Sequence, residues 1–434
     1  MRLVVCADVG STFTKVSVVD TSTGEVVAAA QHPTTVDTDV LHGLDAAVAA
    51  TGVRAPAATY VCSSAGGGLR LAVVGYERLV TAEAGHRVGL SAGARVVHVA
   101  AGPLDRAGVD ELKAARPDVV LLVGGTDGGD AAVLRHNAHR LAAARLRVPV
   151  VAAGNADARE DVVSELTRRG VPVIPAGNVL PRIGVSDPAP ARTAIREVFL
   201  RHVIGGKKLS RGPRFASLVR GATPDVVLTA VELLADHYEG DLLVVDVGGA
   251  TTDVYSVIGP DVSADVAGTL WRSRTVEGDL GVRWTAPGVL DAAVAERLAA
   301  GDAELRAAAR ARAADPGLPP GEPDLRLASL AATVALRRHA RGEPVGPGGP
   351  RKGGKDLRGV RRVIGSGGVL RHADPAAARR VLGAAVADHA GGWALPRTPA
   401  VTVDTDYVLA PAGLLAAEHP RAALALLQQL THGQ

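Results

Sequence analysis

A chain of 434 residues is longer than one hydrophobic core usually serves, so the sequence predicts two or more subdomains. Hydrophobic residues make up 47% of it and aromatics only 3%, which leaves Val, Leu and Ala to fill the interior. The net charge of +3 comes from a balanced mixture and gives no basis for a nucleic-acid protein; no apolar run approaches the length of a membrane span.

Asp8 breaks the apolar N-terminus before a signal-peptide core can form, and Cys6 and Cys62 lack metal-ligand spacing. A cytoplasmic protein with two free buried thiols is the expectation.

In chain order, Leu3–Val19 reads as strand, turn and strand. Asp8 closes the first strand, and Gly10, Ser11 and Thr12 form the turn before Thr14 and Lys15. Gly24–Gln31 adds a third strand, Asp39–Thr51 has helical spacing, and Thr59–Ser63 is a short strand running into Ser64-Ala65-Gly66-Gly67-Gly68. An α/β alternation follows, with strands at Leu71–Val74, Arg95–Val99, Val119–Val123, Val148–Ala152 and Val171–Ile174. Its helices are Thr81–Gly89, Asp105–Ala115, Ala131–Ala144 and Arg159–Arg169, a pattern that predicts parallel pairing. Helices at Pro188–Val203 and Pro224–Tyr238 lead to a second hairpin, Leu242–Ile258.

That second hairpin repeats the first. Asp8-Val9-Gly10-Ser11-Thr12-Phe13-Thr14-Lys15-Val16 overlays Asp246-Val247-Gly248-Gly249-Ala250-Thr251-Thr252-Asp253-Val254, with Asp, Val, Gly, Thr and Val coinciding. Two such hairpins far apart in one chain predict duplicated halves facing one cleft. Successive N–H groups in such turns make an anion-binding concavity, and a carboxylate beside them can hold a hydrated cation.

Beyond it, Thr275–Gly281 is expected to open a largely helical region reaching Arg341. The Gly- and Pro-rich stretch Glu343–Lys355 lies inside a strongly basic region, Arg337–Arg362, read as a solvated loop with a docking site for an acidic partner as the alternative. Gly359–Leu370 predicts a strand ending in Gly365-Ser366-Gly367-Gly368, and Asp406–Ala410 a final strand. A closing helix starts at Pro411-Ala412-Gly413, where Gly413 permits close packing.

Three glycine-containing strand ends, at Asp8, Asp246 and Gly365, resemble in their order the actin-like ATPase superfamily of sugar kinases, actin and heat-shock ATPases. More closely, the segments ADVGSTFTK, CSSAGGGL, LLVGGTDGGD, VVDVGGATTDV, RTVEGDLG and IGSGGVL together resemble the MutL/GlmL family. These are accessory proteins of glutamate (methylaspartate) mutase, unrelated to the mismatch-repair protein of the same name.

The resemblance implies an α/β fold of duplicated actin-like, ribonuclease H-like lobes around a nucleotide cleft, with an extra α/β segment in the first half. The corresponding division is residues 1–240 with an insertion at about 70–180, residues 241–410, and a closing helix over 411–434. It also implies ATP and Mg²⁺ as ligands, and adenosylcobalamin-dependent mutase subunits as partners of a chaperone-like reactivating factor.

Under that resemblance, turn amides at Gly10, Ser11 and Thr12 and at Gly248, Gly249 and Ala250 cradle the β- and γ-phosphates. Thr12, Thr14, Thr251 and Thr252 add hydroxyls, and Lys15 neutralises phosphate charge. Asp8 and Asp246 hold Mg²⁺ largely through water, with Asp253 as a second carboxylate of the later hairpin. Gly278 belongs to the same nucleotide-binding set, and Gly365, Ser366, Gly367 and Gly368 lie beside adenosine. For the residue that positions attacking water no Glu matches; Asp225 and Asp127 are the candidates, each also readable as a helix-capping carboxylate.

A small-molecule kinase is the alternative, although no substrate-facing base stands out. An iron–sulfur ATPase would need cluster cysteines that Cys6 and Cys62 do not provide. A non-enzymatic scaffold sits poorly with intact Asp8, Lys15, Asp246 and Asp253.

Overall fold

Strands β1 (Leu3–Val9), β2 (Phe13–Asp20) and β3 (Glu25–Pro33) form an antiparallel meander. β4 (Ala58–Ser63) and β10 (Val219–Ala222) extend it in parallel on the other side of β1. The resulting order is β10-β4-β1-β2-β3. The computed structural model describes residues 2–65, 69–76, 85, 88–89, 94–183, 185, 187–204, 209–238, 240–259, 272–300, 302–344, 351–352, 354–390 and 392–431.

The second half repeats this sheet. β11 (Leu242–Val247), β12 (Thr252–Val257) and β13 (Arg272–Glu277) form the antiparallel meander. After a two-residue pair, β14 (Glu343–Pro344) and β15 (Arg351–Lys352), strands β16 (Arg362–Ser366) and β17 (Ala400–Val403) extend it in parallel beyond β11. The order β13-β12-β11-β16-β17 matches β3-β2-β1-β4-β10 in both sequence and direction. The turns match as well, since Gly10 N–H donates to Phe13 O at 3.1 Å and Gly248 N–H to Thr251 O at 2.9 Å. The chain is therefore an α/β protein of duplicated actin-like lobes.

A third sheet, all parallel, has the order β6-β5-β7-β8-β9, with β5 Arg70–Gly75, β6 Arg95–Ala101, β7 Val119–Leu122, β8 Val150–Ala152 and β9 Val173–Pro175. Parallel strands need crossover connections, supplied among others by the helices Arg106–Ala114, Ala132–Ala143 and Arg159–Arg168. One face packs on these helices; the other shares a core with the first lobe, where Leu71, Val73, Leu121 and Val151 join Val5, Val16 and Val61. The expected helix at Thr81–Gly89 lies outside the described residues except for Gly85, Val88 and Gly89.

Between the two duplicated sheets lies a core that belongs to both. Val4 and Cys6 from the first lobe meet Val244, Tyr255 and Ile364 from the second. The helices Thr223–Tyr238, Leu409–Leu415 and Pro420–Gln428 fill the space around them. The first two cross so closely that a Cβ on Gly413 would overlap the Val226 carbonyl. As the sequence suggests, only glycine fits there.

Three expectations need correction. The segment Asp406–Ala410 is no strand: the last strand is β17, and Asp404 accepts from the N–H groups of Val408 (2.8 Å) and Leu409 (3.2 Å), turning that apolar run into a helix start. The stretch from Thr275 begins in a strand, β13, rather than a helix. Its buried residues are Ser273, Arg274 and Thr275, so the apolar alternation that marks a half-buried strand is missing. Buried His339 satisfies two hydroxyls there, with Nδ1 2.8 Å from Thr275 Oγ1 and Nε2 2.8 Å from Ser256 Oγ. Finally, the basic region opens within a helix, Glu322–Arg341, whose arginines are spent internally. Arg337 pairs with Asp388 (2.5 Å), Arg338 with Glu277 (2.7 Å) and Asp279 (2.8 Å), and Arg341 with Glu296.

The shared core predicts a contrast between two glycines. Gly413→Ala should destabilise the fold by about 3 kcal/mol, the scale of overpacking against backbone. Gly383→Ala, in the helix Pro375–Val386 with nothing within 4 Å of the added Cβ, should stabilise it by about 0.5–1 kcal/mol. Thermal unfolding of the two variants beside the parent checks both signs.

Candidate functional site between the lobes

The two hairpin turns face each other. A Cβ placed on Gly249 would lie 3.8 Å from Thr12 Oγ1, and Trp284 Nε1 donates to the same hydroxyl at 3.1 Å. The second turn is held from behind through its carbonyls. Gly248 O accepts from Val282 N–H (3.1 Å), Gly249 O from the N–H groups of Arg283 (2.8 Å) and Trp284 (2.9 Å), and Ala250 O from Thr285 Oγ1 (2.9 Å). Among the described residues, the amides of Ser11, Thr12, Gly249 and Ala250 donate no hydrogen bond. Two opposed turns thus keep N–H groups unspent, the arrangement an anion requires.

Asp8 ends β1 almost fully buried, and both its oxygens are occupied. Oδ1 accepts from Thr223 Oγ1 at 2.5 Å, and Oδ2 accepts from the Tyr407 hydroxyl. Lys15 Nζ stands 3.7 Å from Oδ2 and 4.1 Å from the centroid of the Tyr407 ring. The Cys62 thiol donates weakly to Asp8 Oδ1 across 3.7 Å; burial, then the Asp8 charge, pushes that thiol's pKa up, so it stays protonated. Tyr407 adopts the left-handed backbone conformation at φ 56°, a strained state for an aromatic residue that the Asp8 and Lys15 contacts hold in place.

Asp246, at the equivalent end of β11, is different. Its carboxylate makes no hydrogen bond among the described residues. Burial, followed by the nearby charge of Asp253, raises its pKa to about 6 against the pull of Lys15, with Asp8 and Asp404 adding to the rise. A carboxylate that is costly to ionise and lacks a partner fits a cation better than does the saturated Asp8.

Other sequence candidates are differently placed. Thr14 is buried against Thr34 (Oγ1 to Oγ1 3.1 Å), and Thr252 donates to Leu280 O at 2.6 Å, so neither hydroxyl is free for phosphate. Asp253 is locked in a buried ion pair with Arg274 at 2.8 Å and also accepts from Thr251 at 3.3 Å. Gly278 sits in the turn after β13, between the two acids that hold Arg338. A Cβ on Gly365 would overlap Leu382, and one on Gly367 would overlap Val247 O, so the room these glycines leave belongs to protein atoms rather than to adenosine. Ser366 is buried. Gly368 alone of the four faces open space.

Neither water-positioning candidate stands free. Asp225 is buried between Arg196 (2.5 Å) and Arg192 (3.8 Å). Asp127 lies in a loop after β7, accepting from Ala156 N–H and Asn178 Nδ2, both at 2.8 Å. Sequence reading missed Thr223 and Tyr407, whose partner Asp8 is 215 and 399 residues away in the chain.

Comparison with known proteins agrees with the motifs. The family model described as "MutL protein" matches residues 4–431. The chain belongs to the MutL family. A curated relative, Protein MutL of Clostridium tetanomorphum, is 33% identical over 453 aligned residues, covering 97% of each chain. Among solved structures, a nucleotide-free acetone carboxylase aligns with 100% of this chain and 78% of its own at 16% identity and a TM-score of 0.38. Component A of the Acidaminococcus fermentans (R)-2-hydroxyglutaryl-CoA dehydratase aligns with 98% of this MutL chain and 100% of its own at 9% identity and a TM-score of 0.31. No helix among the described residues is long and apolar enough to cross a membrane.

Asp246 and Asp404, both raised to about 6, give this MutL chain a pH signature. A carboxyl raised in the folded state contributes stability below its ordinary pKa and loses it as pH climbs through the folded value. Between pH 4 and 7 each group therefore costs about 3 kcal/mol. Asp246→Asn should melt higher than the parent at pH 7.5 without added metal, and the two curves should converge near pH 4.5. Equal midpoints at both pH values would show that Asp246 is not strained.

Proposed function

We propose that this chain binds Mg·ATP between its lobes and hydrolyses it slowly. In this reading the nucleotide cycle grips and releases an adenosylcobalamin-dependent glutamate mutase, so that a damaged cofactor can be exchanged. The observation that carries the nucleotide reading is the pair of opposed turns with unspent amides, flanked by Lys15 and an unpartnered Asp246. Amides of Ser11 and Thr12 bind phosphate oxygens from one side, and those of Gly249 and Ala250 from the other. Lys15 balances their charge, and the Thr12 hydroxyl, which accepts from Trp284, keeps its own hydrogen to donate. Asp246 holds the cation, with Asp8 behind it as an organiser of Lys15 and Tyr407. Mg²⁺ supplies neutralisation of the phosphate charge that develops on transfer.

Slow turnover fits the state of the two candidate bases, since Asp225 is clamped by two arginines and Asp127 is spent on its own loop. A switch needs occupancy that biases an open against a closed state rather than rapid chemistry. The mutase partnership rests on family membership. The parallel sheet β6-β5-β7-β8-β9 is the docking surface we favour, because its helical layer takes no part in the paired turns.

Calorimetry tests the first half. Asp246→Ala should weaken Mg²⁺-dependent ATP binding more than tenfold, about 1.4 kcal/mol, and Asp8→Ala should do likewise. Wild-type affinity in both variants would remove the assignment. For the second half, inactivated, cobalamin-loaded glutamate mutase should regain activity with this protein, ATP, Mg²⁺ and fresh adenosylcobalamin, but not with Asp246→Ala. A mutase that neither binds nor recovers under any nucleotide condition ends the reactivation reading; ADP formation that depends on a small-molecule acceptor would point to a kinase.

A further inference from the structure

A groove of about 1030 Å³ opens beside the Asp8 cluster. Its lining carries four charged side chains, Lys15, Glu25, Arg371 and Asp406, beside Ala29 of β3 and Tyr407. Register pairs Asp8 with Lys15, Cys6 with Ser17 and Ser17 with Ala29, so the groove runs along the face of the first sheet that carries Asp8. Its volume lies near the upper end of small-molecule sites, and exposed residues of β3 such as Ala29 leave it open to solvent on one side.

Arg371 is the residue that gives the groove a chemistry. It closes the short helix Gly368–Arg371 and is partly buried. Among the described residues its guanidinium makes no hydrogen bond and no ion pair; its contact is with the Tyr407 ring, 5.2 Å from the centroid. Asp404, whose charge it feels, has both oxygens committed to the Val408 and Leu409 amides. A guanidinium stacked on a ring keeps its donor edge for another group, and five unspent N–H donors in a fixed fork match the oxygens of a phosphate. Lys15 approaches the same ring, and of these two cations only Lys15 has a counter-ion, Asp8 at 3.7 Å. The floor also carries small side chains, Ser17, Ala29 and Ala425, that leave room for the body of a ligand.

We propose that the Tyr407 end of this groove is an anion subsite. In it Arg371, with Lys15 beside it, binds the phosphate of a small molecule whose body lies along β2 and β3. Two sources present that chemistry: the nucleotide of the proposed cleft, or a separate phosphorylated ligand bound next to it. The subsite extends the nucleotide reading, yet it stands on the groove and the unpaired guanidinium.

The test is calorimetric titration of the full chain with inorganic pyrophosphate and with Mg·ADP. Arg371→Ala should weaken pyrophosphate binding at least tenfold, or remove one of two binding events, and Arg371→Lys should recover part of the loss. The thermal midpoint of Arg371→Ala should fall only slightly, because the Tyr407 ring contact is lost but no internal hydrogen bond is removed. Ala29→Leu, which fills the floor, separates the sources. If it and Arg371→Ala both weaken Mg·ADP, the nucleotide itself occupies the groove; if both leave Mg·ADP unchanged while Arg371→Ala loses pyrophosphate, the ligand is a separate one. Unchanged pyrophosphate binding in Arg371→Ala, or none in the parent, overturns the subsite. A parent that binds pyrophosphate through Arg371 but not Mg·ATP would instead sink the nucleotide reading and leave the subsite standing.

Discussion

A single buried carboxylate ties the molecule together. Asp8 terminates a central strand of the first lobe, and hydroxyls from two remote helical segments close on it. Thr223 is the first residue of one helix; Tyr407 stands two residues ahead of another. Those helices cross at Gly413 inside the core that both lobes share. Hydrogen bonds to an ionised group are worth about 1.5–3 kcal/mol each, so the triangle of strand and two helices is rigid at its apex. A change of charge or position at Asp8 is felt directly by two helices of the core that both lobes share.

Charge is handled differently in the second lobe. There Arg274 neutralises Asp253, while Asp324 is ion-paired with both Arg283 (2.9 Å) and Arg312 (2.7 Å). Arg283 also donates its backbone N–H to Gly249, so the ion network reaches the back of the second turn. Removing one partner of such buried pairs costs several kcal/mol because the other charge is stranded. The turn is thus held by commitments made behind it, which leaves its front amides uncommitted.

Much of this was legible in the amino-acid sequence where the same physics recurred locally. The hairpins could be set in register residue by residue because strand alternation, a glycine turn and a closing Asp all lie within nine positions. The parallel sheet was legible from its Val- and Leu-rich strands separated by amphipathic helices. β13 was not, because its interior is Ser273, Arg274 and Thr275, satisfied by partners on other elements. β17 was displaced onto the following helix, since an apolar run preceded by Asp404 reads equally as strand or capped helix. Thr223, Tyr407 and Arg371 carry no local signal: their meaning lies in a carboxylate and a groove assembled from distant segments. Gly365 in β16 and Gly367 just after it are necessary, but for another neighbour, since Leu382 and Val247 take the space assigned to a ligand.

The duplication is faithful in backbone and broken in charge. Register places Lys15 opposite Asp8 in the first hairpin and Asp253 opposite Asp246 in the second. One half of an otherwise two-fold arrangement sets a cation opposite its acid, whereas in the other Asp253 is paired with Arg274 and Asp246 has an acid opposite it. A symmetric pair of cradles would accept an elongated, unevenly charged molecule in either direction. This pair has a polarity: two equal halves have become a head and a tail.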